Sequence, residues 1–226
     1  MSQLFIVATP IGNLKDITLR ALETLKEVDF IACEDTRNTS FLLSTYEIKK
    51  ELFVLNAANE INKIALVLNR IKNGEKCALV TDAGTPCISD PGIRLVNAAE
   101  KENIEIVGIP GANAAILALS IAGLPTDSFV FEGFIPQKKG RQKKLKELSI
   151  EERTIVLYES TYRIKKLIEE LNEYMPERTI AVCRELTKKF EEIWKGIPSQ
   201  ILSDFDERIT KGEFVVVIAP INWKED

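Results

Sequence analysis

The most restrictive feature of the sequence is a regular alternation, in its first half, between short apolar runs and segments with helical spacing. The runs that we predict to be strands cover residues 4–8, 30–33, 52–55, 77–81 and 104–108. Between them, apolar side chains recur every three or four residues from Leu19 to Val28 and from Ile61 to Ile71. Strands that alternate with helices favour an α/β fold with a mainly parallel sheet and helices on both faces. In such a sheet, ligands bind outside the carboxyl ends of the strands.

The rhythm changes after residues 123–127, Gly-Leu-Pro-Thr-Asp, which we interpret as a linker between domains at 1–122 and 128–226. A chain of 226 residues is long for one compact domain and comfortable for two. Strands are predicted after the linker at 129–131, 154–158, 179–183, 192–194 and 214–219, with helices at 160–174 and 198–208. Two successive strands without a helix between them predict a mixed or antiparallel second sheet.

The composition is that of an ordinary globular protein, with 45% hydrophobic and 28% charged residues. We expect a cytoplasmic protein without a membrane span, because no apolar run approaches about 20 residues and the N-terminus has no basic leader. The four cysteines have no metal-ligand spacing, and we predict no metal site. The chain has no histidine, so the side chain best suited to proton transfer near neutral pH is absent.

Basic residues are concentrated between Lys138 and Lys166, although the net charge of the chain is −4. A local positive patch on an acidic protein indicates a specific anionic partner. A solvated helix face would give the same composition, so both interpretations stay open at this point.

Polar loops follow the first two predicted strands. The first loop, residues 9–16, offers Gly12 for close backbone approach, and Asn13 and Asp16 for polar contacts. A simple strand-to-helix turn would explain the same residues. The loop is not a GxGxxG fingerprint, so it does not support a dinucleotide site. The second loop, residues 34–37, places Glu34, Asp35 and Arg37 at a strand end, where they form either a site or a helix N-cap with its ion pair.

Two further loops are rich in glycine, proline and small residues. Residues 81–92 contain two proline turns and two glycines after an apolar strand, as expected for a ligand that lies against main chain; the alternative is a purely structural double turn. A helix is predicted to follow, with Asp90 as its cap and Pro91 at its first position. Residues 109–115 either let a bulky ligand approach the backbone or let a helix and a strand pack closely.

Together these loops closely resemble the motifs of the tetrapyrrole-methylase superfamily, and within it the branch that methylates small-subunit ribosomal RNA. The motifs are Thr-Pro-Ile-Gly-Asn at 9–13, Cys-Glu-Asp-Thr-Arg at 33–37, Asp-Ala-Gly-Thr-Pro-Cys-Ile-Ser-Asp-Pro-Gly at 82–92 and Pro-Gly-Ala-Asn-Ala at 110–114. The second half continues the match with Gly-Phe-Ile-Pro at 133–136, Tyr-Glu-Ser at 158–160 and Arg-Glu-Leu-Thr-Lys at 184–188. The resemblance covers nearly the whole chain in sequence order.

The resemblance implies two α/β domains that form a cleft for S-adenosylmethionine, a homodimer, and 2′-O-methylation of a cytidine ribose in the decoding region of small-subunit RNA. The RNA would be met free or as a 30S particle. Methylation of a tetrapyrrole ring carbon, and a non-catalytic role in ribosome assembly, are the alternatives.

The matching positions also imply site residues. Catalysis would involve Asn13, Glu34, Asp35, Arg37 and Lys188. The cofactor would be bound by Thr9, Pro10, Asp82, Ala83, Gly84, Thr85, Pro86, Ser89, Gly111 and Ala112, of which Thr9 and Pro10 would also lie near the ribose. RNA would be bound by Lys138, Lys139, Arg141, Lys143, Lys144 and Arg163, and the cleft would be closed by Glu159, Arg163, Arg184 and Lys188.

The chain departs from the family pattern after the third strand. The family usually has a histidine-containing segment there, ahead of an Asn-Glu pair, but this chain has Asn56-Ala57-Ala58-Asn59-Glu60. The proton of the ribose hydroxyl must then be accepted by another group. The candidate acceptors are Glu34, Asp35, a lysine of lowered pKa such as Lys188, and a water relay. We expect positioning of the reacting groups to contribute most to catalysis, with Asp35 or Lys188 assisting.

Overall fold

The computed structural model describes residues 2–224, and the chain divides into two compact units, Met1–Asn113 and Ala114–Asp226. The division falls ahead of the linker segment predicted at 123–127. The reason is that the helix Ala114–Ile121 (α5) lies against strands of the second unit.

The first unit is a five-stranded, wholly parallel sheet with strand order β3-β2-β4-β1-β5. Its strands are β1 (Gln3–Val7), β2 (Phe30–Cys33), β3 (Glu51–Val54), β4 (Cys77–Leu79) and β5 (Glu105–Ile109). Every residue of β2 and β4 is buried, as expected for interior strands of a parallel sheet covered on both faces. The predicted α/β class is confirmed.

Four helices and a short 3₁₀ turn connect these strands. They are α1 (Leu19–Glu27), α2 (Thr36–Thr45), α3 (Glu60–Lys72), α4 (Ile93–Lys101) and the turn Leu14–Asp16. α1 begins at its N-cap Thr18, whose side chain accepts a hydrogen bond from the N–H of Ala21. α1 and α3 match the spacing read from the sequence, whereas α2 has few apolar residues and gave no periodic signal.

The predicted start of the helix after Asp90 is wrong. α4 begins two residues later than expected, and its N-cap position is Gly92, with φ of 125°. A side chain at Gly92 would place its Cβ 2.6 Å from Leu79 Cδ2, so glycine fits both the φ angle and the packing there.

The second unit is a mixed five-stranded sheet with order β6-β7-β10-β8-β9, which confirms the predicted mixed topology. Its strands are β6 (Phe129–Phe134), β7 (Thr154–Ser160), β8 (Ile180–Arg184), β9 (Glu192–Gly196) and β10 (Glu213–Ile218). Only the β6–β7 pair is parallel among the described strands of this sheet. The helices are α5, α6 (Arg141–Ser149), α7 (Ile164–Tyr174), α8 (Pro198–Ser203) and a 3₁₀ turn at Phe205–Glu207.

The core of the second unit packs one face of α7 onto the sheet. Ile164, Leu167, Ile168 and Leu171 are all buried at helical spacing. Arg178 is also buried, and its guanidinium donates to the carbonyls of Leu148, Glu151, Arg153 and Ala219. Burial lowers the pKa of Arg178 to about 10, so the group stays charged at neutral pH.

Cysteine thiols are packed as small apolar groups. Cys33, Cys77 and Cys183 are buried, Cys87 is half-buried, and all four are free. Burial raises the pKa of Cys77 and of Cys183 to about 12. Of the helices within residues 2–224, none combines the length and the apolar character that a bilayer crossing requires.

Candidate functional site

The loops after β1 and β4 are joined main chain to main chain. Thr9 and Gly84 form an isolated antiparallel bridge, with N–H···O distances of 2.9 and 3.1 Å. The buried Thr9 hydroxyl donates in addition to the carbonyl of Thr81, at 3.1 Å. Because β1 and β4 are parallel neighbours, their loops leave the sheet at the same edge, and the bridge fixes them against each other.

The loop after β5 is attached to the same edge. The Thr85 hydroxyl donates to the carbonyl of Ala112 at 3.1 Å. Gly111 lies against Ala8, where an added Cβ would come within 2.9 Å of the Ala8 Cβ. Gly111 therefore permits close loop packing, one of the two roles that the sequence left open, while its own main chain stays exposed.

The loop after β2 is held by a carboxylate of the β4 loop. Asp82 accepts a hydrogen bond from the N–H of Asp35 at 3.2 Å and another from the side-chain amide of Asn38 at 2.8 Å. The Thr81 hydroxyl donates to Glu34 at 3.2 Å. Four loops, those after β1, β2, β4 and β5, are thus brought together as expected from the parallel sheet.

The β4 loop has an unusual backbone. Cys87 and Ser89 have φ of 69° and 65°, in the left-handed region that costs a non-glycine residue on the order of 1 kcal/mol or more. The main-chain N–H groups of Ala83 and Ser89 donate to no acceptor within residues 2–224. Both residues are exposed, so these donors are available to a ligand. Pro86, by contrast, is buried and shapes the turn rather than facing outward.

Glu60 belongs to the Asn-Glu pair of residues 56–60, the segment that departs from the family pattern, and it holds the end of the β4 loop in place. It is buried, and its carboxylate accepts a hydrogen bond from the N–H of Gly92 at 3.1 Å. No role for Glu60 was predicted from the sequence. In the sequence Glu60 is a charged residue at the start of a helical apolar pattern. A charged residue in that place usually lies in solvent.

Three acidic side chains surround Thr81: Glu34, Asp82 and Asp90. Burial, followed by the charges of Glu34 and Asp82, raises the pKa of Asp90 to about 6. Burial and the charge of Asp82 likewise raise the pKa of Glu34. Asp90 was expected to be a helix cap, and it is instead a carboxyl group of the β4 loop with a perturbed pKa.

Asp35 and Arg37 form the N-cap and ion pair that the sequence allowed as an alternative. The Asp35 carboxylate accepts from the main-chain N–H of Arg37 at 2.8 Å and also binds its guanidinium. These hydrogen bonds lower the pKa of Asp35 to about 2. A carboxylate so stabilised is a poor proton acceptor at neutral pH.

The remaining residues of the first loop have local structural roles. Pro10 is buried beside Thr9. Asn13 is exposed, and its side-chain oxygen caps the 3₁₀ turn by accepting from the N–H of Lys15 at 3.1 Å.

Lys188 lies in the second unit, after β8, and the expectation of a lowered pKa is wrong. Burial disfavours its charged form, but hydrogen bonds to Glu213 at 2.8 Å and to Glu185 at 3.0 Å outweigh burial and raise its pKa. A lysine held charged by two carboxylates cannot accept a proton. These two ion pairs disfavour Lys188 as the proton acceptor.

The basic segment of the second unit separates into buried and exposed cations. Arg141 is only 4% exposed, binds Glu170 at 2.6 Å and donates to the carbonyl of Pro136. The prediction that Arg141 contacts RNA is therefore wrong, because its guanidinium is buried and paired. Lys144 pairs with Glu132, and Arg163 pairs with the buried Glu159. Lys138, Lys139 and Lys143 are exposed.

The edge of the first unit fits the ligand that the resemblance implies. S-adenosylmethionine carries an uncharged nucleoside, a sulfonium and an amino-acid end. Free main-chain donors at Ala83 and Ser89 suit the polar groups, and the carboxylates of Glu34 and Asp82 suit the positive charges. Within residues 2–224, no group of histidine, cysteine and acidic side chains is arranged to hold a metal.

Comparison with known proteins identifies sequence relatives over nearly the full chain. Residues 3–201 match the family model described as tetrapyrrole (corrin/porphyrin) methylases. A Thermotoga maritima protein named ribosomal RNA small subunit methyltransferase I is 44% identical, over 97% of this chain and 99% of its own. A protein of the same name from Haemophilus influenzae is 47% identical, over 95% of this chain and 77% of its own.

Solved structures share the fold at lower identity. The methyltransferase CobJ superposes with a TM-score of 0.71 at 17% identity, covering 100% of this chain and 97% of its own. A diphthine synthase gives 0.72 at 16% identity, over 96% and 89%. A Thermus thermophilus uroporphyrin-III C-methyltransferase complexed with S-adenosyl homocysteine gives 0.66 at 15% identity, over 95% and 96%.

Proposed function

The chain belongs to the tetrapyrrole methylase family, and we propose that it transfers a methyl group from S-adenosylmethionine to the 2′-hydroxyl of a cytidine ribose in the decoding region of small-subunit ribosomal RNA. Relatives 44–48% identical to it carry the name ribosomal RNA small subunit methyltransferase I, which supports the ribosomal substrate. The main structural support for the proposal is that four loops meet at the carboxyl edge of the parallel sheet, around the Thr9–Gly84 bridge.

The donor is held by main chain of the first unit. The β4 loop provides the N–H donors of Ala83 and Ser89 on one side, and Gly111 and Ala112 provide a small-residue wall on the other. Thr85 and Thr9 do not need to touch the ligand, because their hydroxyls hold the loops together. The positively charged sulfonium activates the methyl group for in-line displacement.

Catalysis then depends on alignment and on one proton acceptor. Rigid loops hold the reacting groups in line, which lowers the entropic part of the barrier. Glu34 accepts the ribose proton, because its raised pKa makes it a better base than an ordinary carboxylate, and Thr81 orients it by a hydrogen bond. Asp35 serves as cap and as the partner of Arg37, and not as the base. Asn13 lies on the first loop, which by the family resemblance would lie near the ribose.

The RNA is bound in part by the exposed lysines of the second unit. Lys138, Lys139 and Lys143 have no carboxylate closer than 3.9 Å within residues 2–224, so their charge is available to phosphates. Arg163 contributes to RNA binding through the exposed part of its side chain. Lys144 stays paired with its carboxylate partners. A ribosomal substrate implies a cytoplasmic protein, and we propose a homodimer as the family resemblance implies.

The proposal is tested by offering the purified protein a radiolabelled methyl donor with three acceptors: 30S particles lacking the modification, free small-subunit RNA, and a precorrin. We expect label in RNA, and we expect the labelled nucleotide to resist alkaline cleavage because its 2′-oxygen is blocked. Label in the precorrin would favour the sister activity on tetrapyrroles. Absence of donor binding by calorimetry would favour a non-catalytic assembly factor.

A further inference from the structure

One end of the second sheet gathers the loops of five strands. Register pairs Phe134 of β6 with Tyr158 of β7, and Ser160 of β7 with Glu213 of β10. It also pairs Phe214 with Arg184 of β8, and Arg184 with Glu192 of β9. The segments that follow β6, β7 and β8, and those that precede β9 and β10, therefore meet along one edge. We call residues 134–139, 160–163, 185–191 and 211–212 the loop edge.

The loop edge exposes three aromatic side chains. Tyr162 is 95% exposed, Phe190 59% and Phe134 54%. Tyr162 makes no ring contact within residues 2–224, whereas Lys189 lies 5.4 Å from the Phe190 ring centroid and Arg163 lies 5.8 Å from that of Phe134. Large apolar side chains grouped at a surface indicate an interaction site more often than scattered ones do.

The charges of the loop edge favour an anionic partner. Four exposed lysines, Lys138, Lys139, Lys189 and Lys211, form no ion pair with a carboxylate of residues 2–224. The two acidic residues of the loop edge are Glu185 and Glu191, and the Glu191 carboxylate accepts a hydrogen bond from the main-chain N–H of Thr187 at 2.5 Å. The acidic residues in and next to the loop edge also bind its cations. Glu185 and Glu213 bind Lys188, and Glu192 binds Arg184. Aromatic rings interleaved with free cations are the pattern by which proteins bind unpaired nucleotides.

The loops that carry these groups are held in place. The guanidinium of Arg184, which is buried, donates to the carbonyl of Lys211 at 2.9 Å and to that of Phe190 at 3.0 Å. The Thr161 hydroxyl joins the loop after β7 to Gly212 at 2.5 Å. Because the backbone of these loops is held in place, less conformational entropy of the main chain is lost when a ligand binds.

We infer that the loop edge binds single-stranded RNA, with Tyr162 stacking on an unpaired base and Lys138, Lys139, Lys189 and Lys211 contacting the flanking phosphates. The inference rests on the proposed ribosomal substrate and narrows it, since a stacking site requires bases that are not paired. An A-form duplex presents phosphates and 2′-hydroxyls but no free base face, so it gains nothing from Tyr162. Arg184 is a positioning residue for this surface.

The test compares Tyr162→Ala with Tyr162→Phe, which keeps the ring. Binding is measured by fluorescence anisotropy with a labelled, unstructured cytidine-rich RNA of about ten nucleotides, a length that one single-strand site covers, and with the same strand annealed to its complement. We expect Tyr162→Ala to weaken single-strand binding by about 5- to 100-fold, the usual effect of losing one stacked base. Tyr162→Phe should bind like the unaltered protein, and duplex affinity should not differ among the three.

Ile150→Ala is the matched control, because Ile150 is 74% exposed and precedes β7 at the opposite end of that strand. It should leave both affinities unchanged. Equal single-strand binding by Tyr162→Ala and the unaltered protein would overturn the inference. So would an equal loss for single strand and duplex. Normal RNA binding by Tyr162→Ala with lost binding to 30S particles would instead assign the surface to a ribosomal protein.

Binding of single-stranded RNA and methyl transfer can be measured separately. If the unaltered protein transfers methyl groups to 30S particles but Tyr162→Ala binds single-stranded RNA normally, only the stacking site is wrong. If the unaltered protein binds the donor but methylates no RNA, the proposed function itself is wrong.

Discussion

Thr9 and Gly84 exchange two main-chain hydrogen bonds, at 2.9 and 3.1 Å, and thereby join the loop after β1 to the loop after β4. The bridge lies outside the regular sheet, where neighbouring parallel strands have already ended. Gly84 has φ of 87°, which glycine adopts without strain. The donor site that we propose is built around this bridge, so changes to the packing of the joined loops should alter donor binding before they alter the fold.

Gly111→Ala tests that packing. The new Cβ would lie 2.9 Å from the Ala8 Cβ, so the loop after β5 must move away from β1. We expect the affinity for S-adenosylmethionine, measured by calorimetry, to fall by about 5- to 150-fold, which is what the usual overpacking cost of about 1–3 kcal/mol amounts to when the displaced loop must return to its place to bind the donor. Gly108→Ala is the control, because a Cβ there meets nothing within 4 Å. Equal affinities for the two variants would argue against the proposed binding wall.

Glu34→Gln tests the proton acceptor. The variant keeps the shape and one acceptor for Thr81 but removes the basic carboxylate. We expect the single-turnover rate with saturating donor and 30S particles to fall by about 10²- to 10⁴-fold, the usual contribution of a general base. In the unaltered protein the rate should rise with pH through a pKa above the ordinary glutamate value, because burial and Asp82 raise it.

Asp35→Asn is the matched comparison for Glu34→Gln. Asparagine caps helices as well as aspartate does, so α2 should survive the change. Its single-turnover rate should stay within a few-fold of the unaltered protein, because a carboxylate with a pKa of about 2 does not take up the proton. A loss as large as that of Glu34→Gln would reassign the base.

Asp90→Asn should stabilise the protein in a pH-dependent way. Burial and neighbouring carboxylates raise the pKa of Asp90 from 3.8 to about 6. Between these values the folded chain holds more protons than the unfolded chain, so the free energy of unfolding decreases as pH rises through that window. The full shift corresponds to about 3 kcal/mol, which we discount to about 1–2 kcal/mol because Asp90 is partly open to solvent.

Urea unfolding at pH 4 and pH 7 measures this difference. At pH 7 the midpoint for Asp90→Asn should lie above that of the unaltered protein, and at pH 4 the two should nearly coincide. An equal gain at both pH values would mean that the carboxylate is not destabilised by its surroundings.

Glu60→Ala and Glu60→Gln separate a structural carboxylate from a catalytic one. Glu60→Ala leaves the N–H of Gly92 without its acceptor and should lower the free energy of unfolding by about 1–3 kcal/mol. Glu60→Gln retains an acceptor oxygen and should recover most of this stability and of the donor affinity. If both variants lost activity equally while remaining folded and donor-bound, the charge of Glu60 would have a direct catalytic role.

The sequence predicted the architecture well because burial and chain spacing determine it locally. The run Phe30–Cys33 was predicted with the bounds that β2 has, since four consecutive apolar residues between polar neighbours leave little choice. α2 was not predicted, because its formation depends on Asp35 as cap and on tertiary packing of Leu42 and Leu43 rather than on a long apolar stripe.

Site chemistry was less predictable than the fold, because a charged residue's role depends on partners distant in the chain. Lys188 was a candidate base until its contact with Glu213, 25 residues away, showed it to be held charged. Arg141 looked like an RNA contact until Glu170, 29 residues away, accounted for its guanidinium. Asp90 looked like a helix cap, and only the approach of Glu34 and Asp82 shows its perturbed pKa.

A crystal structure of the protein with S-adenosyl homocysteine, the product that methyl transfer leaves behind, would locate the proposed donor site. We expect density against the main chain of Ala83, Ser89 and Gly111, with the sulfur on the side of Glu34 and the Thr9–Gly84 bridge intact. Density at any other surface of the first unit, or a bridge that opens to admit the ligand, would contradict this expectation.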